Sequence, residues 1–487
     1  MPEIQNIVRR MTQGIAWMVA ARLLDRMFGV VSTLVLARLL VPADFGLVAM
    51  ATAVASLLEL LGAFSFDLAL IQKTDTRREH YDTVWTFGVL FGLTFAALLL
   101  LLAAPAAAFY HEPRLVSVMY VMALSYVVGA FNNVGVVAFR KELEFHKEFQ
   151  FILIRRLVTF GVTLGTAWYL QSYWALLIGT LAGRIVNCIT SYTMHSYRPR
   201  LSLAAAGELF HFSKWLLINN FLFYLLNNGS SFVIGRLLGA RALGLFTVSN
   251  EIASLPSTEL VAPINRATFP ALSKLQSGSE ATAVYLKLFA MITLLILPVG
   301  FGIAAVAPQL VTVMLGAQWL AAIPLLQCLA IYGALAATQG NNSTMWLAAG
   351  HPRMTTLIGA IFVAVLFPAL YIALPYGGLE AVGYAYLATC AVYLPTGMVL
   401  TQRLLRFRWG AIGALLYRPL LGVLVMWLAV RGALALLPAA PAALQLAALC
   451  LAGALAYPAT VLLLWRLAGR PDGAEAFLLK KIGWLRD

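Results

Sequence analysis

From Gly14 to Arg38 the chain reads GIAWMVAARLLDRMFGVVSTLVLAR. The stretch is apolar and long enough for a helix across a bilayer, which takes about 20 residues at a rise of about 1.5 Å. Yet Arg22, Asp25 and Arg26 stand near its middle. Each costs about 2.5–3.5 kcal/mol if it faces lipid at the helix centre, and three together cost about 8–10 kcal/mol. They must therefore face protein or water. Helical spacing puts Arg22, Asp25, Arg26, Gly29 and Thr33 on one face. Asp25 can neutralise only one of the two arginines. An intramembrane charge left over is a functional group by default.

The other 462 residues of the 487 read the same way. The chain is 61% hydrophobic and 11% charged, a balance that soluble globular proteins do not show. Apolar segments of helix length recur, so the expected fold is an all-α polytopic membrane protein and not a β-barrel. The net charge is +14, but the cations sort by topology and do not call for nucleic acid. Cys188, Cys328, Cys390 and Cys450 are scattered singly and fit neither a metal site nor a disulfide framework. The histidines are isolated, and no HExxH or GxxxxGK[ST] motif occurs. No catalytic residue, metal or cofactor is expected. The N-terminus lacks a cleavable signal pattern, so the first span is expected to be retained.

Fourteen spans are predicted, at 14–38, 44–68, 82–104, 115–138, 151–170, 173–194, 212–236, 242–265, 285–306, 321–348, 355–373, 380–401, 411–430 and 441–465. Loops on one side carry Arg9, Arg10, Lys73, Arg77, Arg78, Arg140, Lys141, Lys147, Arg198, Arg200, Arg353 and Arg403. The opposite loops offer Arg114, Arg241 and Arg431. The positive-inside rule then puts both termini in the cytoplasm. No loop has room for a catalytic domain. His111 and Glu112 are the most suggestive pair on the outer side. The tail Phe477–Leu485 reads either as an interfacial helix or as a solvated end.

Residues 32–57 and 230–255 repeat each other at a constant offset of 198, with identities that include Ser32, Arg38, Leu39, Leu40, Gly46 and Leu57. Trp17 falls on Trp215, and Asn132–Asn133 is echoed by Asn341–Asn342 at a drifted offset. Six spans separate the copies, an even number, which makes the repeat parallel with a pseudo-two-fold axis along the membrane normal. The expected domains are an N-lobe at 1–200 (spans 1–6), a C-lobe at 201–408 (spans 7–12), spans 13 and 14 at 409–470, and a tail at 471–487. The lobes differ at their charged centres. Arg22 and Asp25 are matched by Asn220 and Phe223. Arg38 and Arg236 sit at span ends and are read as end anchors.

Counting along the spans puts Arg22 and Glu59 at similar depth on adjacent helices, so Glu59 competes with Asp25 as its partner. Asp67 lies near the inner mouth and Arg184 near the middle of span 6. Span 7 carries Asn219, Asn220, Asn227 and Asn228; span 8 carries Asn250, Glu251 and Glu259 and ends at Arg266. Pro256 and Pro263 predict a kink in span 8, and Pro298 and Pro324 predict breaks in spans 9 and 10. Arginine forks suit phosphate oxygens, and amides suit sugar hydroxyls. These groups point to an anionic, glycan-bearing amphiphile. Arg22, Arg26, Asp25, Arg184, Asn220 and Arg266 are the candidate substrate groups. Glu59, Asp67, Glu251 and Glu259 are the ion-coupling candidates.

With ARLLVPADFG after span 1, FSKWLLIN opening span 7 and GRLLGARALGLF after it, the chain resembles the polysaccharide transporter family. These are Wzx-like oligosaccharide flippases of the superfamily that includes multidrug extruders and the lipid II flippase. The resemblance covers nearly the whole chain and is strongest over 10–80 and 208–275. It implies a V-shaped bundle around a cationic cavity, and a transporter, not an enzyme. It implies outward flipping of undecaprenyl-diphosphate-linked oligosaccharide across the bacterial inner membrane for exopolysaccharide, capsule or O-antigen assembly. Membrane lipids surround such a protein, and a glycan polymerase and glycosyltransferases share its pathway. First-span arginines of these flippases are implicated at the headgroup, and Arg22 and Arg26 match them; Arg266 is an approximate counterpart of a span-8 arginine. The competing readings are a multidrug or cation antiporter on the same fold, a lipid II flippase, and a membrane glycan polymerase. The first wants an acidic lobe, and the last wants a large outer loop; neither is present.

Overall fold

The computed structural model describes residues 2–61, 70–71, 76–206, 216–275, 278–471 and 473–481; the side chains of 2–13, 15–16, 61, 216–221, 223 and 481 lie outside that description. Everything regular among the described residues is helical. The chain forms two compact units, Met1–Gly244 and Leu245–Asp487.

In the first unit α1 (Pro2–Leu39) and α2 (Pro42–Leu61) meet at a tight corner. Pro42 opens α2, where its missing N–H costs nothing. The Asp44 carboxylate accepts the Val41 N–H at 3.2 Å and closes the corner. Then come α3 (Arg78–Tyr110), α4 (Leu115–Ala130), α5 (Phe145–Leu170) and α6 (Trp174–Met194). Helix α1 packs on α5, α5 on α6, α6 on α4, and α4 on α2 and α3. The contact of α1 with α5 is fastened by the ring pairs Trp17–Phe149, centroids 4.8 Å apart, and Phe28–Phe160 at 5.1 Å. At the C-terminal end of α1, Leu36 and Leu40 bury against Ala167 and Ala175.

The fourth predicted span, 115–138, is not one straight helix. It ends at Ala130, and the chain turns through 70° into Val134–Lys141. Asn133 makes the break possible. Its side-chain oxygen accepts the Gly135 N–H at 2.8 Å, and its amide donates to the Tyr197 carbonyl at 2.7 Å. A fully buried asparagine thus satisfies backbone groups that the helix no longer reaches.

Helix α7 (Leu216–Pro256) starts in the first unit and is broken at Gly239, whose φ of 79° suits only glycine. A π-helical turn, Ser257–Val261, links it to α8 (Ala262–Leu275), where the sequence places Pro256 and Pro263. The second unit continues with α9 (Ser279–Leu310), α10 (Ile323–Ala348), α11 (Pro352–Leu405, broken at Gly378), α12 (Trp409–Leu436), α13 (Ala442–Leu467) and α14 (Ala474–Lys481). Helix α9 is the hub; α8, α10, α12, α13 and α14 all pack on it.

The breaks expected from Pro298 and Pro324 do not occur. Pro324 sits in the first turn of α10, where proline begins a helix. Pro298 lies inside an uninterrupted α9. Proline frees the carbonyl four residues back, here that of Leu294, and the Tyr457 hydroxyl donates to it at 2.8 Å. Pro308 frees the Ala304 carbonyl in the same way, and the Gln327 amide takes it at 3.2 Å. Neighbouring helices supply the missing donors, which is how spans tolerate proline.

Ten stretches among the described residues are long and apolar enough to cross a bilayer, or eleven with the bent α4 segment. Two of them, Tyr224–Leu275 and Pro352–Leu405, run through broken or kinked helices and are long enough for two crossings each. Helix α1 is outside the ten because Arg22, Asp25 and Arg26 fall in every eighteen-residue window of its apolar part. The chain is an all-α multi-pass membrane protein.

Candidate functional site

The charged face of α1 does not close on itself. Asp25 reaches across to α5, where Arg156 donates its Nη2 to Oδ2 at 2.7 Å and its Nε to Oδ1. This is a two-pronged guanidinium–carboxylate pair, the strongest geometry for those groups. Leu24, Phe28, Phe149 and Leu153 flank it. Neither expected partner of Arg22 is therefore available. Asp25 is held by Arg156, and Glu59 on α2 accepts the Tyr126 hydroxyl of α4 at 2.5 Å. The physical reason is helix order. Helix α1 packs on α5, so its acidic residue meets the arginine pair there.

Arg22 is exposed and makes no ion pair or hydrogen bond among the described residues; Arg26 is half-buried. Arg155, beside Arg156 on α5, lies within electrostatic reach of Asp25 and of Arg184 on α6. The Arg184 guanidinium sits over the Tyr126 ring, 5.7 Å from its centroid, a cation–π contact. Tyr126 thus holds an arginine on its face and a glutamate at its hydroxyl. A chain of contacts runs from α1 through α5 and α6 to α4 and α2. It links three arginines, Arg155, Arg156 and Arg184, to two carboxylates, Asp25 and Glu59, while Arg22 and Arg26 stand on the same helix as Asp25. The excess is positive, and its forks suit an anion with several oxygens.

Three of these residues were missed in the sequence. Arg155 and Arg156 sit in FILIRRLVTF, already inside the predicted fifth span, and two cations in an apolar run were the available signal. Tyr126 carried no signal of its own. Other candidates lie elsewhere or outside the description. Asp67 is outside the described residues, and so is the side chain of Asn220. Glu251 on α7 and Glu259 in the π-turn are half-buried in the second unit. Arg266 is exposed on α8, its Nε 3.4 Å from the Ala262 carbonyl of its own helix.

The outer pair His111 and Glu112 is tied up structurally. Glu112 accepts both prongs of Arg114, at 2.8 and 2.9 Å, which holds its carboxyl below the usual carboxylate range. His111 lies 2.8 Å from Arg236, which also donates to the Phe109 carbonyl at 2.6 Å. Arg236 thus clasps the C-terminal end of α3, where a cation is favoured by the helix dipole.

A family model described as polysaccharide biosynthesis protein matches residues 35–324, more than half of the chain. The chain belongs to this family. Among relatives of this polysaccharide biosynthesis protein is the lipopolysaccharide biosynthesis protein WzxC of Escherichia coli (strain K12), 25% identical over 74% of each chain. The teichuronic acid biosynthesis protein TuaB of Bacillus subtilis (strain 168) is 22% identical over 73% of this chain and 75% of its own. The succinoglycan biosynthesis transport protein ExoT of Rhizobium meliloti (strain 1021) is 25% identical over 66% of each. In fold, the lipid II flippase MurJ in an inward closed conformation superposes with a TM-score of 0.75, covering 94% of this chain and 100% of that one at 11% identity. An inward-facing multidrug resistance MATE transporter gives 0.59, over 80% and 97%, at 15% identity. The chain is thus a polysaccharide biosynthesis family protein whose fold is like those of MurJ and the MATE transporter.

Proposed function

We propose that this protein flips undecaprenyl-diphosphate-linked oligosaccharide from the inner to the outer leaflet of the bacterial inner membrane. The product feeds exopolysaccharide, capsule or O-antigen assembly, and both termini lie in the cytoplasm. One observation supports the reading: Arg155 on α5 lies within electrostatic reach of Arg156 and of Arg184 on α6, and the one carboxylate among them, Asp25, is already held by Arg156. A diphosphate is the part of such a lipid that needs them. A cation antiporter on the same fold would meet the wrong sign of charge.

The repeat of spans 1–6 in spans 7–12 supports alternating access by two lobes, with spans 13 and 14 as additions. The chain has no nucleotide-binding loop, so gradients or downstream polymerisation drive the cycle. The diphosphate carries about two negative charges, and each is worth about 2.3 kcal/mol per 100 mV. With the cytoplasm negative, outward movement is downhill if the arginines stay at fixed depth. Glu59 is the ion-coupling candidate joined, through Tyr126, to Arg184.

The test is flipping in proteoliposomes of a labelled undecaprenyl-diphosphate oligosaccharide. Wild-type protein should move it without changing its covalent structure, faster with the cytoplasmic side negative. The double variant Arg22→Ala, Arg26→Ala should lose at least about tenfold in rate, and Arg→Lys should restore only part, because the fork is lost. Full-rate flipping by the double variant would refute the assignment.

A further inference from the structure

The second unit contains a cavity of about 300 Å³ between the end of α7, the π-turn with α8, and α10. No charged side chain lines it. Its polar groups are the amides of Asn250 and Asn265 and the hydroxyls of Ser254, Ser257 and Tyr332. Two of them are unspent. Asn250 makes no side-chain hydrogen bond among the described residues, and the Asn265 Oδ1 is buried without a partner. A buried amide oxygen left bare costs about 1–3 kcal/mol, so such an atom in a cavity wall marks a place for a donor.

The walls are built to leave room. A Cβ on Gly340 would stand 3.2 Å from Asn265 Nδ2, and one on Gly333 would stand 2.8 Å from the Ala253 carbonyl. Ser257 spends its proton on the Gly333 carbonyl at 3.1 Å and so keeps its oxygen lone pairs for an incoming donor. The Tyr332 ring is held in place by Tyr386, centroids 4.9 Å apart and nearly perpendicular, and by Phe362 at 6.2 Å. The π-turn at Ser257–Val261 interrupts the α-helix at the cavity wall, and such turns mark functional sites in many helices.

We propose that this cavity is a subsite for a neutral sugar of the glycan. The inference rests on the flippase reading and assigns the part of the substrate that the arginines do not serve. Hydroxyl-rich rings need amides and hydroxyls that both donate and accept, an aromatic face, and no fixed charge. A diphosphate would find no cation here, and a drug cation would find no carboxylate. The substrate's two chemistries thus meet two separate sets of residues, arginines in the first unit and amides in the second.

The experiment is equilibrium binding to the full chain in nanodiscs with two probes. One is undecaprenyl diphosphate; the other is the same carrier bearing a neutral hexose disaccharide. Wild-type protein should bind the second more tightly. Asn265→Ala removes the bare acceptor, and Gly340→Leu fills the cavity. Each should weaken the glycan-bearing probe by about tenfold relative to the bare carrier. An unchanged ratio in Asn265→Ala, which leaves the packing of α10 intact, overturns the subsite even if Gly340→Leu does not fold. Equal weakening of both probes overturns it as well and makes the cavity structural. If wild-type protein binds neither probe, the flippase reading itself fails, and the subsite falls with it.

Discussion

Gly46 and Gly244 meet backbone to backbone. A Cβ on Gly46 would overlap the Ala240 carbonyl and stand 2.8 Å from the Gly244 nitrogen; a Cβ on Gly244 would overlap the Pro42 carbonyl and stand 2.9 Å from the Gly46 nitrogen. The contact is reciprocal, and its members are repeat-equivalent: Gly46 matches Gly244, and Pro42 matches Ala240, both at the offset of 198. Reciprocity of this kind is what a two-fold axis through the contact would produce.

Backbones this close admit no side chain. Gly46→Ala or Gly244→Ala should destabilise the protein by about 1–3 kcal/mol, the range for overpacked sites. Thermal unfolding in detergent should show a lower midpoint for each. A midpoint equal to wild type would mean that the two segments separate freely.

The Asp25–Arg156 pair is about two-thirds buried on both sides, with side-chain exposures of 35% and 37%. Its value therefore falls between the exposed and buried limits. Asp25→Ala or Arg156→Ala alone should cost about 1–2 kcal/mol, because each strands its partner. The double variant should cost clearly less than the two single costs added. Additive losses in that cycle would show that the pair does not couple α1 to α5.

Arg418 and Glu475 are each 7% exposed and 2.8 Å apart, and they join α12 to α14. Within the tail expected at Phe477–Leu485, residues 477–481 belong to α14, which begins at Ala474, and 482–485 lie outside the described residues. Glu475→Ala should cost about 3–5 kcal/mol, because it leaves a buried arginine alone. Arg418→Met with Glu475→Leu should recover most of that loss in the same unfolding assay. Failure of the double variant to recover would mean that the ion pair stabilises more than its apolar replacement.

His195 follows α6 at the membrane edge, and its Nδ1 accepts the Tyr197 N–H at 3.1 Å. Burial pushes its imidazole below the ordinary value of 6.5; Glu142 and Glu144 oppose the shift, and Lys147 and Arg198 add to it. The unfolded chain then binds the proton more readily than the folded one. The stability tied to neutral His195 is complete above pH 6.5 and is lost as pH falls through the lower folded value. His195→Gln should unfold with a flatter pH dependence than wild type between about pH 7.5 and 5. Parallel curves would remove His195 from the acid response.

Much of the protein was legible in the chain. Span-length apolar segments determine a helical membrane protein, because the bilayer interior tolerates no other unpaired backbone. Three charges in α1 required a polar or protein-lined face, because lipid cannot solvate them. Residue type set the sign of the candidate site. What the chain alone left open was pairing, because partners are chosen by which helices touch. Asp25 found Arg156, 131 residues away, and Glu59 found Tyr126, 67 residues away. The fates of the prolines were decided the same way. Pro298 breaks nothing because Tyr457, 163 residues on from Leu294, replaces the lost bond, whereas α4 breaks without proline because Asn133 caps the break. Local spacing states which groups need a partner; only the packed bundle brings the partner within the few ångströms over which hydrogen bonds act.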